Sequence, residues 1–160
     1  MSTEFHIRPA AEEDVATILH FIRALAEYEH LEHEVVATEE LLRHWLFEQH
    51  KAEVLLGETG DGPVAFALFF HNFSTFLGRA GIYLEDLYVR PEYRGRGYGK
   101  GLIRRLAALA VERGCGRLEW SCLDWNKPSI NFYLSLQAKP MEEWTTYRLT
   151  GDTLTALAES

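Results

Sequence analysis

The feature that most constrains this chain is an apolar stretch that leads through a glycine-rich loop into an amphipathic helix. Residues 82–89 read IYLEDLYV, and residues 91–101, PEYRGRGYGKG, hold four glycines and three basic residues. From Tyr98, leucine and alanine recur at helical spacing until Gly114, a residue type that commonly ends a helix. Such a junction gathers unpaired main-chain N–H groups at a positive helix end. It therefore predicts an anion site, and phosphate is the expected ligand.

The spacing of the loop excludes two common nucleotide motifs. A Walker A loop needs G-x-x-x-x-G-K-[ST], but Arg94 stands where the first glycine should be and Gly101 replaces the hydroxyl residue. The dinucleotide pattern G-x-G-x-x-G also fails, because its last glycine position falls on Lys100 or Leu102. The pattern that fits residues 94–99 is R-x-x-G-x-G. A glycine-rich turn that binds nothing is the alternative.

The remaining sequence predicts a mixed α/β chain. Helix-spaced apolar residues cover 11–28, a second helix begins at Thr38, an N-cap residue type, and a short helix covers 128–136. The predicted strands lie at residues 5–9, 53–58, 64–72, 82–89, 117–123 and 144–150. This order indicates helices on one sheet that contains both antiparallel and parallel pairing.

Length and composition indicate a single domain over residues 1–160, with 47% apolar and 25% charged residues. No apolar run approaches the roughly 20 residues that span a bilayer, and the start, MSTEFHIRP, lacks the pattern of a secretory signal. We therefore expect a cytoplasmic protein with no membrane segment. Two cysteines, Cys115 and Cys122, are too few for a disulfide scaffold.

The charge is unevenly distributed along the chain. A formal net charge of -8 argues against nucleic acid as a partner. Residues 90–105 nevertheless carry six basic residues against the single acid Glu92, whereas residues 27–40 carry six glutamates and no lysine or arginine. The first segment suits an anion and the second a cation. The alternative is that both are solvated helix faces.

The R-x-x-G-x-G loop after this strand resembles the pyrophosphate loop of the GNAT acyltransferase superfamily. YLEDLYVRPEYRGRGYG, LDWNKPSINFY and the opening IRPA with LAEYE are similar to one branch, the diamine (polyamine) acetyltransferases and their thialysine-acetylating relatives. The similar stretches cover about residues 5 to 150. The resemblance implies the GNAT fold, a twisted, mostly antiparallel mixed sheet flanked by helices. In that fold the parallel strands, here 82–89 and 117–123, splay apart to admit the pantetheine arm of acetyl-CoA.

The resemblance also implies roles for particular residues. Glu85 is the base that takes a proton from the acceptor ammonium, whose pKa is about 10, and Tyr133 is the acid that protonates the departing thiolate. Acceptor-binding positions are Glu27, Tyr28, Glu85 and Asp86, and related enzymes are homodimers. Contacts to acetyl-CoA are implied for Leu87, Tyr88, Val89, Arg94, Gly95, Arg96, Gly97, Tyr98, Gly99, Lys100, Asn126, Ser129 and Tyr133.

The residues alone leave alternatives open. Strand alternation places Glu85 and Asp86 on opposite faces, so one carboxylate sits inside an apolar strand whichever face is buried. Either could instead pair with an arginine across the sheet. Tyr133 could be a core tyrosine whose hydroxyl bonds to main chain.

Other chemistries are less well supported. Neither Cys115 nor Cys122 has an adjacent histidine, so we expect direct transfer in a ternary complex and not through an acetylated cysteine. His30 with His33 is the only histidine pair at helical spacing, so we expect no metal. A noncatalytic acetyl-CoA-binding module and an acetyltransferase for protein N-termini or lysines remain as alternatives. Ser74 and Phe76 replace an acidic and a tryptophan position of the diamine enzymes, which favours a thialysine or lysine-like amine.

Overall fold

Five strands form one mixed sheet in the order β1-β2-β3-β4-β5. The computed structural model describes residues 4–160. Its strands are β1 His6–Pro9, β2 Glu53–Thr59, β3 Gly62–Ser74, β4 Arg79–Val89 and β5 Leu118–Trp120. Its α-helices are α1 Val15–Tyr28, α2 Glu39–Leu42, α3 Tyr98–Glu112, α4 Lys127–Ser135 and α5 Gly151–Ala158. Pairing is antiparallel from β1 through β4 and parallel between β4 and β5, as the sequence predicted.

The start of α1 is fixed by an arginine that joins three elements. Arg8 in β1 donates from both Nη atoms to the Asp14 carboxylate, at 2.8 and 2.9 Å, and from Nε to Glu58 in β2, at 2.6 Å. Asp14 also accepts from the Ala11 main-chain N–H at 2.7 Å and closes a 3-10 turn just before the helix. This cluster of polar groups ties β1, β2 and α1 together.

The second predicted helix begins where expected but does not stay α-helical. The Thr38 hydroxyl accepts from the main-chain N–H of Leu41 at 3.1 Å and caps α2. After Leu42 the chain continues as a π-helical segment, Arg43–Glu48, which contributes the buried Leu46 to the core.

The main core lies between α1, this π-helical segment and the sheet. Phe21 of α1 stacks on Phe66 of β3, with ring centroids 5.3 Å apart. The buried residues of the cluster are Ile18, Phe21, Leu46, Val54, Leu56, Phe66 and Tyr88. Because Tyr88 belongs to it, the end of β4 is anchored in the core.

Two compact units divide the chain. The first runs to Ser121 and contains the whole sheet with α1 to α3, and the second comprises Cys122–Ser160 with α4 and α5. The predicted strand at 144–150 is wrong, because the structure has neither helix nor strand there, and Trp144 and Tyr147 are exposed. Apolar alternation marks which side chains a strand would bury, but a strand forms only beside a neighbour. None of the helices within residues 4–160 is long and apolar enough to cross a membrane.

Candidate active site

A β-bulge in β4 singles out Glu85. Leu68 of β3 pairs with Asp86, and the next residue, Phe69, pairs with Leu84, so Glu85 has no partner of its own in β3. An extra residue of this kind bends a strand and re-aims side chains, and bulges are common beside active sites. The Glu85 side chain is exposed.

The sheet also loses its parallel pairing at this point. The paired residues of β4 and β5 end at Leu84 and Trp120, whereas β4 continues to Val89. The hydroxyls of Tyr83 and Ser121 lie 2.5 Å apart across the last paired residues. Beyond them β4 pairs only with β3 among the described strands, which is the arrangement expected where the two parallel strands separate.

Asp86 lies in the least polar surroundings of the acidic side chains on this strand. It is half-buried, and burial is the main reason that its pKa rises to about 7. The negative charges of Glu85 and Glu29 raise this pKa further. Glu29, at the end of α1, is half-buried as well, and burial raises the pKa of its carboxyl. Two carboxyl groups, Glu85 and Glu29, thus act on Asp86 where α1 ends and β4 bulges.

The structure decides between the alternatives for these carboxylates. Simple alternation along β4 is wrong beyond Leu84, because Leu84 and Asp86 pair with the consecutive residues Phe69 and Leu68 and therefore lie on opposite faces. Asp86 lies on the face of Tyr88 and is the carboxyl that desolvation affects. Neither Glu85 nor Asp86 forms an ion pair within residues 4–160, so no arginine across the sheet neutralises them. The sequence missed Glu29, although it lies in the acidic stretch 27–40.

The glycine loop presents the start of α3 to solvent. Gly97 precedes the helix with φ of 84°, a left-handed conformation that glycine adopts without strain. The first helical hydrogen bond runs from the Gly101 N–H to the Gly97 carbonyl at 2.9 Å. The N–H groups before Gly101 therefore have no partner within α3, and the cations Arg94, Arg96 and Lys100 around them are exposed.

The Arg94 side chain is held by groups outside its own loop. Its Nε donates to the Val89 carbonyl at 2.8 Å, and its guanidinium carbon lies 5.1 Å from the ring centre of Tyr28 and 5.3 Å from that of Tyr88. Arg96 differs, since it bonds to the Glu92 carbonyl at 3.2 Å within the loop. Tyr28, assigned to the acceptor by resemblance, thus contacts an arginine of the glycine loop.

The remaining predicted residues of the first unit fall into two groups. Tyr98 is buried and stacks on Phe5, with centroids 4.0 Å apart, so its ring supports the helix start. Tyr88 is buried in the core and pairs with Phe66 of β3. The predicted residues that are partly or fully exposed are Glu27, Leu87, Val89, Gly95 and Gly99.

The second unit holds the other predicted site residues. Asn126 is buried, with 5% exposure, and its side-chain oxygen accepts from the Ser129 N–H at 3.4 Å, so it caps α4. Tyr133 lies on α4, is half-buried, and contacts the Phe132 ring at 5.5 Å between centroids. Asn126 and Tyr133 are therefore positioned by the same short helix.

Two other features of the described residues lie apart from this chemistry. A pocket of about 390 Å³ lies between α1 and the start of α2 and is lined by Leu19, Arg23, Thr38, Glu39 and Glu40, none of which is a predicted site residue. Within residues 4–160, no group of three or more His, Cys, Asp or Glu side chains could hold a metal ion.

Known proteins show the same combination of sheet, loop and helix. The sequence model of the Acetyltransferase (GNAT) family matches residues 17–137. The thialysine N-epsilon-acetyltransferase of Sus scrofa is 40% identical over 95% of this chain and 96% of its own. The L-ornithine N5-acetyltransferase NATA1 of Arabidopsis thaliana is 34% identical over 94% of this chain and 86% of its own.

A solved structure shares the fold of this chain. An integron cassette protein from the mobile metagenome of V. cholerae superimposes with a TM-score of 0.82 at 26% identity, covering 98% of each chain. The parallel pairing that ends at Leu84, the R-x-x-G-x-G loop and these matches all lead to one assignment. The chain belongs to the GNAT family of acetyltransferases.

Proposed function

We propose that this N-acetyltransferase moves an acetyl group from acetyl-CoA to the primary amine of a small cationic acceptor, such as a thialysine or lysine-like amine or a polyamine. The observation that carries the proposal is the position of Glu29, Glu85 and Asp86. Glu85 and Asp86 lie where β4 bulges, on the strand that leads into the cationic loop, and Glu29 acts on Asp86 from the end of α1. A cationic amine and an anionic cofactor would thus be attracted to neighbouring parts of one strand.

The loop residues fit the diphosphate of acetyl-CoA. Main-chain N–H groups from Gly95 to Lys100 and the side chains of Arg94 and Arg96 would hold it, and the open edge of β4 at Leu87 and Val89 would hydrogen-bond the pantetheine arm. Asn126 and Ser129 would contact the cofactor from α4. Bound acetyl-CoA supplies the activated acetyl group.

Glu85 and Tyr133 would handle the two protons. Glu85, exposed at the bulge, takes a proton from the acceptor ammonium directly or through water, so that the nitrogen lone pair becomes available. The new N–C bond forms as the C–S bond breaks, and the Tyr133 hydroxyl donates its proton to the departing thiolate. The attacking nitrogen then gives its second proton to the tyrosinate, directly or through water, which leaves a neutral amide and restores Tyr133. Transfer is direct, within a ternary complex.

The relatives favour an amino-acid-like acceptor. The names of two of them specify a side-chain amine, the epsilon nitrogen of thialysine and the N5 nitrogen of ornithine. Asp86 would hold such a cation best when ionised. Because its pKa is about 7, acceptor binding should strengthen as the pH rises through neutrality.

An acceptor screen tests the proposal. Purified chain and acetyl-CoA are mixed with thialysine, lysine, ornithine, spermidine and lysine-containing or N-terminal peptides, and released thiol is measured. We expect release with one or more of the small amines. Release only with peptides would favour the protein-acetylating alternative, and tight CoA binding without release from any acceptor would favour a noncatalytic module.

We further propose that the chain acts as one acetyltransferase domain, as a cytoplasmic homodimer without metal, nucleic acid or membrane partners. The family match at residues 17–137 crosses the boundary between the two compact units, which supports one functional domain. Sedimentation equilibrium at micromolar concentration tests the dimer.

A further inference from the structure

The side chain of Arg94 is fixed by groups that lie outside its loop. The Val89 carbonyl accepts from Nε at 2.8 Å, and the guanidinium lies over the rings of Tyr28 and Tyr88. Val89 and Tyr88 belong to β4, and Tyr28 is the last residue of α1. The orientation of this loop cation therefore depends on two elements that the R-x-x-G-x-G pattern does not include.

These contacts leave the phosphate-binding end of the arginine available. The bond to Val89 is the only hydrogen bond of the Arg94 side chain within residues 4–160, and it uses Nε. The two Nη groups keep their donor capacity. A guanidinium with its terminal N–H groups free presents paired donors in a plane, which matches the oxygens of a phosphate.

The two rings form a firm support. Tyr88 is buried in the core cluster, and Tyr28 is half-buried and packs against the same cluster. A long side chain that is already held in its binding orientation loses less rotamer freedom when a ligand arrives, so the ligand binds more tightly. The ring of Tyr28 can therefore affect an anion that it never touches.

We propose that Tyr28 is a positioning residue for the cofactor diphosphate: its ring holds the Arg94 guanidinium in the orientation in which the Nη groups donate to coenzyme A. The inference rests on the proposed binding of coenzyme A to the glycine loop. It assigns to Tyr28 a cofactor role in place of the acceptor contact that the family resemblance implies.

Calorimetric titration with coenzyme A alone tests this role. Tyr28→Leu should weaken binding about two- to fivefold, the range expected for loss of a cation–π contact at an accessible site. Tyr28→Phe keeps the ring and should bind as the wild type does, which separates the ring from the hydroxyl. In an Arg94→Ala background, Tyr28→Leu should cause no further loss, because Tyr28 acts through Arg94.

The outcomes are separable. Equal affinity of Tyr28→Leu and wild type, or the same two- to fivefold loss with and without Arg94, overturns the inference while the proposed function stands. A wild-type chain that binds no coenzyme A overturns both. Thermal unfolding checks each variant, and Tyr28→Met replaces a Leu variant that does not fold. Arg94→Lys, which keeps the charge without the planar group, should also remove the sensitivity to Tyr28→Leu.

Discussion

Arg8 and Asp14 form a two-point ion pair, with Nη1 to Oδ2 at 2.8 Å and Nη2 to Oδ1 at 2.9 Å. Asp14 is buried at 8% exposure, and the pKa of its carboxyl is lowered chiefly by the hydrogen bonds from Arg8. The pair joins β1 to the start of α1. Its loss would therefore affect the helix whose other end carries Tyr28 and Glu29.

Asp14→Asn should destabilise the chain by about 2 kcal/mol at pH 7, as expected for loss of a charged hydrogen-bond partner. Because the folded pKa lies below the unfolded value of about 4, this contribution is complete above pH 4 and is lost as the pH falls through the folded pKa. The difference in unfolding free energy between the wild type and Asp14→Asn, measured with urea, should therefore be smaller at pH 3 than at pH 7. Glu12→Gln, at an exposed ion pair with Arg43, should cost at most about 1 kcal/mol. A stability difference between the wild type and Asp14→Asn that stays constant with pH would rule out ionisation of Asp14 as its cause.

Asp86→Asn should change the pH dependence of stability in the opposite sense. The folded pKa of about 7 lies above the unfolded value of about 4, so ionisation of Asp86 lowers stability progressively as the pH rises from 4 through 7. The variant should gain stability relative to the wild type at pH 8 but not at pH 4, measured as urea midpoints. Asp124→Asn, at an exposed position, is the control. Parallel stability curves for Asp86→Asn and wild type would contradict the burial argument.

Glu85→Gln should slow acetyl transfer by about a hundredfold or more near pH 7 and by less at high pH. Near neutrality the acceptor is an ammonium and needs a base, whereas at a pH near its pKa of about 10 the free amine is already present. Initial rates of thiol release from pH 6 to pH 10 give the profile. An unaltered shape would exclude a base role for Glu85, and an unchanged coenzyme A affinity would show that the site is intact.

Tyr133→Phe should lower kcat far more than it weakens acetyl-CoA binding. The change removes only the hydroxyl, so the contact with Phe132 on α4 is kept while the proton donor is lost. Steady-state kinetics give kcat, and calorimetry gives the coenzyme A affinity. Equal turnover would mean that another group, or water, protonates the thiolate.

Gly99→Ala should raise the KM for acetyl-CoA about tenfold, or about 1.4 kcal/mol, without lowering the Tm. A β-carbon there would meet only Cγ2 of Val89, at 3.8 Å, and alanine favours the helix, so the fold has room for it but a closely bound diphosphate does not. Gly97→Ala is the matched comparison, because its φ of 84° makes alanine strained and the Tm should fall. An unchanged KM for Gly99→Ala would show that the ligand does not approach this main chain.

Local patterns were sufficient to predict the strand, loop and helix that carry the proposed cofactor site. Leucine spacing predicted α3, Gly114 its end, and Thr38 the start of α2, because each signal lies within a few residues of the structure it specifies.

Features that depend on distant partners were not predictable in this way. The bulge at Glu85 is a mismatch between two strands, and alternation within β4 carries no information about it. The contact of Tyr28 with Arg94 joins residues far apart in sequence, and nothing near either residue indicates the other. The predicted strand at 144–150 was wrong for the same reason, because a strand forms only beside a neighbouring strand.

The additional residue in β4 interrupts the pairing with β3, but it also supplies the proposed base. A chain without Glu85 could pair β3 and β4 in an unbroken ladder, and it would lose the proposed base in the same step. Selection for a more stable sheet therefore favours loss of Glu85, whereas selection for turnover favours its retention. Thermostable variants of this chain should keep the bulge only where they were also selected for activity.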